Sequence, residues 1–418
     1  MKVYQALTTR RRILYSAYAC RASRSCLFHE SEKTVKHRAV LLLSLGHAVT
    51  DINQGALPAL LPFLIAEYGL SYAAAAFVVF AANSASTVVQ PLFGHLADRV
   101  GKPWLLPASV LVASVGVALV GVVSSYAWVL VAAIVSGIGV AAYHPEGARR
   151  VHSVAGDEKG MAMSVFGIGG TVGFAVGPAL TTAAVLHWGL GGSVIVMVPA
   201  CLTVCLLLQQ ASWVARSGRS AQRSENPVGS AEEKDAWGPF ARLTGLVIGR
   251  ATIFYSLNTF IPLYVLRVLR GSAAAGATAL TLFALAGVAG NLLGGKVADR
   301  MGHRSVALTG FCLLVPLIPL ALWVPNQAAA MIVLMAIGAC LASTYSPVII
   351  LGQQYLPNHI GLSSGVTLGI AVAIGGVTTP ILGRIADLYS LWHALAVLAI
   401  LPILSVGLAL TLPRPASG

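Results

Sequence analysis

Long apolar segments alternate with short polar ones along most of the chain, between about residue 40 and residue 412. A helix that crosses the hydrocarbon core of a bilayer needs roughly 20 apolar residues, and the pattern predicts twelve such helices. They cover about residues 40–62, 72–97, 104–124, 128–149, 160–184, 192–212, 243–266, 273–298, 305–324, 328–351, 362–386 and 391–412. The pattern therefore predicts an all-α membrane protein with twelve transmembrane helices.

Composition and charge agree with this prediction. Hydrophobic residues make up 57% of the chain, charged residues make up 10%, and the mean hydropathy is +0.80, whereas soluble domains have roughly a quarter charged residues. This excludes a water-soluble globular protein. The net charge of +13 collects in the leading tail and in every second loop, which is the positive-inside pattern. It indicates a multi-pass membrane protein with both termini in the cytoplasm, and it does not indicate nucleic-acid binding.

Two landmarks occur twice in the chain. Gly94–Lys102 has the order small, apolar, Ala, Asp, Arg, apolar, Gly, basic, and Gly295–Arg304 repeats it. Tyr143-His144-Pro145 has its counterpart in Tyr345-Ser346-Pro347 at nearly the same offset. Matching halves in a very hydrophobic chain are typical of duplicated transporters.

A polar stretch with Gly, Pro, Ser and mixed charges separates the two halves and is typical of a flexible linker. We predict a basic cytoplasmic tail over 1–38, a six-helix bundle over 39–213, a cytoplasmic linker over 214–240, a second six-helix bundle over 241–413 and a short tail over 414–418. A pseudo-twofold axis should relate the two bundles. The first tail is interpreted as disordered or as lying upstream of the true start, with a transit peptide or a membrane-surface segment as alternatives.

Polar residues inside the predicted helices are the candidates for function, because ionisable groups in hydrocarbon are unfavourable. In the first helix, His47, Asp51 and Gln54 share one helical stripe, and Asp51 lies close to mid-membrane. Arg250, at the equivalent depth of the seventh helix, is the expected cationic partner of Asp51. Proton coupling is predicted for Asp51, His47, His144 and Glu146, and substrate binding for Arg250, Gln54, Gln90, Tyr143, Tyr255, Asn258, Asn291, Tyr345 and Ser346.

The alternative for these groups is a set of buried hydrogen-bonded pairs that only fix the helix register, and it stays open for Gln90 and Asn291. Arg149 and Arg150, at the end of the fourth helix, are expected to reach the cytoplasmic surface.

The repeated loop has its own chemistry. Asp98 and Asp299 lie at helix ends, where a carboxylate can cap the N-terminus of a neighbouring helix, and the arginines beside them can pair with acidic groups or lipid head groups. A latch that holds one face of the bundle shut is predicted from Gly94, Asp98, Arg99, Gly101, Asp299 and Arg300.

The motifs resemble the major facilitator superfamily, whose signature between the second and third helices is G-x-L-A-D-R-x-G-R-K; the first copy here matches it except at Pro103. The chain is similar in particular to the fosmidomycin resistance protein family of bacterial drug exporters. That similarity is carried by Gly46-His47 through Asp51 with Pro62, Gln90-Pro91, Pro103-Trp104 with Leu106-Pro107, His144-Pro145-Glu146 with Arg149 or Arg150, Gly169-Gly170 to Gly177-Pro178, Leu356-Pro357, Ile360-Gly361 and Ser364-Gly365. The fifth helix departs from the antiporter-type signature, because Ala179-Leu180-Thr181-Thr182 follow where that signature has glycines.

The resemblance implies a multi-pass secondary active transporter of the bacterial inner (cytoplasmic) membrane, not an enzyme. It would export a small toxic compound such as a fosmidomycin-like phosphonate by proton-coupled alternating access. Protonation of Asp51, or of Glu146 with His144, would weaken an ion pair with Arg250, for which the substrate competes. A symporter that imports a metabolite is the alternative, and an intramembrane enzyme that uses His144 and Glu146 is a more distant one. Its partners should be a small-molecule substrate, protons and membrane lipid, with no nucleic acid, and a monomer is expected.

The proton gradient drives such a transporter, so no cofactor is expected. No metal site is expected either, since the six cysteines contain no CxxC pair.

Overall fold

The computed structural model describes residues 37–100, 104–155, 159–209, 234–367 and 371–413, and within these ranges all regular secondary structure is helical. The first half contains α1 (His37–Tyr68), α2 (Tyr72–Val100), α3 (Leu105–Val120), α4 (Tyr126–Val154), α5 (Lys159–Trp188) and α6 (Met197–Gln209), which a 3-10 turn (Leu190–Val196) precedes. The second half contains α7 (Trp237–Arg267), α8 (Ala273–Met301), α9 (His303–Trp323), α10 (Gln327–Ser343 and Tyr345–Tyr355), α11 (Ile360–Gly365 and Ala371–Leu388) and α12 (Leu391–Val397 and Ile400–Thr411).

Ten helices of the described ranges are long and apolar enough to cross a bilayer. The α3 helix is apolar but spans only 16 residues, and α11 is described in two pieces on either side of 368–370. The all-helical membrane class is therefore confirmed, while the count of twelve spans, the position of the termini and the domain limits stay predictions. The predicted tails and most of the predicted linker lie outside the described residues.

The helices of the two halves pack in equivalent pairs, both within each half and between the halves. Within the halves, α2 and α3 pack on α4, and α8 and α9 pack on α10. Between the halves, α2 packs on α11 and α8 packs on α5. The second helix of each half thus contacts the fifth helix of the other, which is the exchange that a pseudo-twofold arrangement produces.

Three glycines bring α5 into backbone contact with α1. A Cβ atom at Gly169 would collide with the carbonyl group of Ser44, and one at Gly173 would collide with that of Ala48. Gly177 continues the same four-residue spacing against the next turn of α1. Small residues at this spacing let two helix backbones approach closely, so the polar residues of α1 are held in a fixed position relative to α5.

The last turn of α12 joins several helices at the end of the bundle where α1 begins, which we call the near end; the opposite end is the far end. Three side chains from α7, α9 and α10 donate hydrogen bonds to the final carbonyl groups of this segment: Arg242 to Thr411 (2.7 Å), Arg304 to Leu410 (2.9 Å) and Tyr355 to Pro413 (2.8 Å). Carbonyl groups at a helix C-terminus lack intrahelical partners and carry the negative end of the helix dipole, so the two arginines are well matched to them.

Candidate functional site

A cavity of about 360 Å³ lies between the two halves. Its walls come from α1, α2 and α5 of the first half and from α7, α8 and α10 of the second. Eight residues that the sequence predicts as functional line it together: His47, Asp51, Gln54, Arg250, Tyr255, Asn258, Asn291 and Tyr345. Its size and mixed lining are those of a site for one small molecule.

Asp51 is the centre of a hydrogen-bonded cluster on the first-half wall. Its Oδ1 lies 2.9 Å from Nε2 of His144, and its Oδ2 lies 3.3 Å from Nε2 of His47. All three side chains are mostly buried, with 11% of Asp51 exposed. The expected ion pair between Asp51 and Arg250 is therefore wrong: both carboxylate oxygens face histidines instead. His47 lies one turn before Asp51 on α1, and His144 is carried by α4. Both histidines are therefore closer to the carboxylate than Arg250 is.

The backbone of α5 determines which nitrogen of His47 carries a hydrogen. Nδ1 of His47 lies 2.8 Å from the carbonyl oxygen of Phe166, and a carbonyl group only accepts, so Nδ1 must donate. The Nε2 atom that faces Asp51 then holds either a lone pair or a second proton, and only the protonated form is attracted to a carboxylate. The ring also stacks on Phe166, with the centroids 4.1 Å apart, which fixes its orientation.

Arg250 occupies the opposite wall of the cavity. Its guanidinium carbon lies 4.7 Å from the centre of the Tyr345 ring, a distance at which cation and ring attract each other. Among the described residues, no carboxylate lies within ion-pair distance of this guanidinium. A cation with donors in the plane of a fixed fork, and without a protein acid beside it, is suited to a carboxylate or phosphonate.

Aromatic rings close the space between the two polar walls. Phe174 of α5 stacks with Phe254 of α7 across the two halves, at 6.2 Å between centroids, and Phe254 approaches Phe283 of α8 at 6.3 Å. These rings line the same cavity, so a ligand would contact apolar surface between its polar ends.

Glu146 lies outside the cavity lining, in an ion cluster of its own helix. It is fully buried and accepts from Nε and Nη2 of Arg149 at 2.8 and 2.7 Å and from Nε of Arg150 at 2.6 Å. Arg150 is 1% exposed, so the expectation that both arginines reach the surface is wrong for this one. Burial of an isolated carboxylate is unfavourable, and Glu146 holds the two cations inside. Its part in proton coupling stays a prediction.

Other predicted residues take different places. Tyr143 is fully buried and donates to the carbonyl of Leu43 at 2.7 Å, outside the cavity lining. Ser346 donates to Asn291 at 2.9 Å, and Asn291 also lines the cavity, so substrate binding and a register-fixing pair both stay open for Asn291. Gln90 is partly buried in α2 and does not line the cavity.

The predicted latch is only partly described. Residues 94–99 belong to α2 without described side chains, and Gly101 lies outside the described residues. Asp299 and Arg300 are exposed at the end of α8, and they make no hydrogen bond or ion pair with a described residue. The latch at these positions stays a prediction.

Two kinds of site residue were missed from the sequence. Asn83 and Thr171 line the cavity, but single polar residues in α2 and α5 gave no signal beyond polarity. Phe174, Phe254 and Phe283 look like lipid-facing or core residues in an apolar run, so only the packing of the two halves identifies them.

Metal binding can be considered from the spacing alone. The donor atoms of His47, Asp51 and His144 all lie within 4.8 Å of one another. The same atoms face each other within hydrogen-bond and ion-pair distance in the cluster. The absence of a metal stays a prediction.

Comparison with known proteins gives a consistent result. The family model of the Major Facilitator Superfamily matches residues 43–368. The chain is 30% identical over 402 residues to the "Uncharacterized MFS-type transporter YfnC" of Bacillus subtilis (strain 168), covering 91% of this chain and 96% of the relative. It is 28% identical over 369 residues to the fosmidomycin resistance protein of Escherichia coli (strain K12), covering 87% and 90%.

Solved structures share the fold. A bacterial homolog of the human lysosomal transporter Spinster, in an inward-facing and occupied conformation, superposes with a TM-score of 0.72 at 16% identity, covering 90% of this chain and 96% of that one. The inward-facing and unoccupied conformation gives a TM-score of 0.71 at 17% identity, with the same coverage.

Proposed function

Since this chain belongs to the Major Facilitator Superfamily, and is therefore a transporter and not an enzyme, we propose that it exports a small anionic compound across the bacterial inner membrane in exchange for protons. A fosmidomycin-like phosphonate is the proposed substrate, because one relative is a fosmidomycin resistance protein. In this proposal the near end of the bundle, with both termini, faces the cytoplasm, the proton gradient replaces any cofactor, and the protein works as a monomer.

One observation carries the proposal: a cation from one half lines the same cavity as two members of the proton-binding cluster of the other half, His47 and Asp51. Arg250 has no described acidic partner and supplies an anion site, while His47, Asp51 and His144 supply the proton site. Because the two groups belong to different halves, a ligand between them senses any movement of one half against the other. Alternating access of this kind is a rocking of two bundles around a central site.

Exchange requires that proton and substrate exclude each other from the cavity. This requirement limits which chemical groups the substrate can carry. Protons bound at the Asp51 cluster make the cavity more positive, so a ligand that contacts Arg250 alone would bind better when protons are bound. Exclusion arises if the ligand also presents a hydrogen-bond donor or a cation to Asp51, because that group and a proton then compete for the carboxylate. We therefore propose a substrate with an anionic group at one end and a donor at the other.

Import is the second candidate function. An anion without a donor would enter the cavity together with protons, and an inward proton gradient would then drive it into the cell. Two histidines contact the carboxylate of Asp51 in either case, His47 on α1 and His144 on α4. The other titratable or charged groups nearby are Tyr143 on α4, whose ring lies 6.1 Å from that of His47, and Arg250, Tyr255 and Tyr345, which line the same cavity.

Proton release on binding tests the two candidates. Purified protein in weakly buffered detergent is mixed with fosmidomycin, and the pH of the solution is recorded with a soluble dye. Exchange predicts that binding releases protons, and symport predicts that binding takes them up. Binding without any pH change, across about pH 5.5 to 7.5 (about one unit either side of the ordinary histidine pKa of about 6.5), would contradict proton coupling. In inverted vesicles, an acid-inside gradient should drive labelled fosmidomycin inward only if the exporter proposal is correct.

A further inference from the structure

A carboxylate of the second half caps the first turn of a helix in the first half. Oδ1 of Asp387, in the last turn of α11, accepts from the backbone N–H of Tyr72 at 2.7 Å, and its Oδ2 accepts from that of Ala73 at 3.1 Å. These are the first two N–H groups of α2, which have no partner within the helix, and negative charge is favoured at that end of the helix dipole. The residue before α2, Ser71, accepts from the next N–H, of Ala74, at 3.1 Å.

A glycine one turn earlier makes this approach possible. A Cβ atom at Gly383 would lie 2.7 Å from the Cα of Ala73 and 2.8 Å from the carbonyl oxygen of Tyr72, closer than packed atoms allow. Positions i and i+4 share one face of a helix, so Gly383 and Asp387 meet the start of α2 together. The stretch Gly383-Arg384-Ile385-Ala386-Asp387 repeats the Gly-x-x-Ala-Asp order of the two loop signatures at 94–98 and 295–299.

The α5–α8 contact between the halves has no corresponding carboxylate cap in the part of the chain that the structure describes. Counting from the proline of each helix, Asp387 follows Pro380 by seven positions (387 − 380 = 7), and the residue seven positions after Pro178 in α5 is Val185 (178 + 7 = 185). The N-terminus of α8, which packs on α5, is capped by its own Ser272, which accepts from Ala275 at 3.1 Å. Among the described residues, the α2–α11 contact is joined through a charged group at this end and the α5–α8 contact is not.

We propose that Asp387 is a latch that holds the two halves together at the far end, and that each transport cycle must break it. Separation of the halves at this end would expose two unpaired N–H groups and a carboxylate together. In the orientation proposed above, the far end faces the outside, so the latch favours the state that is open to the cytoplasm. The residue acts on the position of the halves and does not contact the substrate.

The distance between the halves at the far end tests the latch without substrate or protons. In the full chain with its six native cysteines replaced by alanine, spin labels are placed at Trp128→Cys and Trp323→Cys, two exposed far-end positions in different halves. Pulsed electron–electron double resonance in nanodiscs then gives the populations of short and long distances between the two spin labels. Asp387→Ala should raise the long-to-short ratio about tenfold, the change expected from losing a hydrogen bond to a charged group. Asp387→Asn keeps the shape and one acceptor, so its shift should be smaller.

Glu67→Gln is the matched control, because it removes an exposed carboxylate at the far end of α1 and should leave the distances unchanged. A cap that only stabilised α2 would lower the melting temperature of both Asp387 variants and leave the distance ratio at the parent value, and that result would overturn the latch. If Asp387→Ala does not fold, Asp387→Asn decides: parent distances in this folded variant contradict the proposal. Because the readout needs no ligand, a failed fosmidomycin experiment and a failed latch remain distinguishable.

Discussion

Replacement of Arg250 is the sharpest test of the anion site. The guanidinium carbon lies over the Tyr345 ring, 4.7 Å from its centre, and the guanidinium forms no ion pair with a described carboxylate, so we expect its N–H groups to be available to a ligand in the cavity. Arg250→Gln removes the charge and keeps a side chain of related length, and Arg250→Lys keeps the charge but loses the fork. We expect both variants to fold, because no described ion pair is broken.

The magnitude follows from the hydrogen bonds that the fork can make. A phosphonate that accepts two charge-assisted hydrogen bonds would lose about 3 kcal/mol in Arg250→Gln, at roughly 1.5 kcal/mol each, and this weakens Kd about 150-fold. In Arg250→Lys one such bond and the planar match are lost, so about tenfold is expected. Tyr345→Phe keeps the ring face and should bind within about twofold of the parent.

Isothermal titration of fosmidomycin into the purified variants measures these changes. The double variant Arg250→Gln, Asp51→Asn tests whether Arg250 forms an ion pair with Asp51. Because Asp51 faces histidines, we expect no such pair. The losses of folding stability from the two substitutions should then add within about 0.5 kcal/mol. Parent affinity in Arg250→Gln would refute the anion assignment. A coupling well above that limit would refute the separation of Asp51 from Arg250.

Three further substitutions address the remaining parts of the mechanism. Asp51→Asn should abolish proton release on fosmidomycin binding while the protein still inserts, because the cluster loses its carboxylate; unchanged release would remove Asp51 from coupling. Asp98→Ala should slow turnover and increase labelling of near-end cysteines, with little effect on fosmidomycin affinity, and equal labelling in variant and parent would contradict the latch in this loop. Gly173→Val should reduce the stability of the protein by about 1–3 kcal/mol through overpacking against the carbonyl of Ala48, measured by chemical denaturation. Gly407→Ala, with open space around its Cβ position, is the control and should not reduce stability, because alanine is favoured over glycine within a helix by up to about 1 kcal/mol.

Hydropathy predicts most helices of this chain because the bilayer imposes a length of about 20 apolar residues, and ten described helices meet that requirement. Depth can be counted in the same way, at about 1.5 Å per residue. For this reason Asp51 and Arg250, which the sequence places at equivalent depth in the two halves, do line one cavity.

Partner choice could not be predicted by depth. The sequence paired Asp51 with Arg250 by opposite charge, but the carboxylate bonds His144, which α4 brings beside α1. The carbonyl group of Phe166, which sets the hydrogen of His47, has no signature in a sequence, because any residue has a carbonyl there. Likewise, Glu146 and Arg150 pair four residues apart in one helix, and neither hydropathy nor spacing indicates that both are buried.

The hydrogen bonds at the end of α12 make this segment an attachment point from which a force or a label acts on several helices of the second half together. Arg242, Arg304 and Tyr355 donate hydrogen bonds to the carbonyl groups of Thr411, Leu410 and Pro413, so α7, α9, α10 and α12 resist being pulled apart at this point. A fluorophore or a tether attached after Pro413 would follow the second bundle as a whole, and would not report fraying of a single helix. Single-molecule trajectories recorded from that attachment should therefore show steps between discrete levels, with dwell times set by the transport cycle.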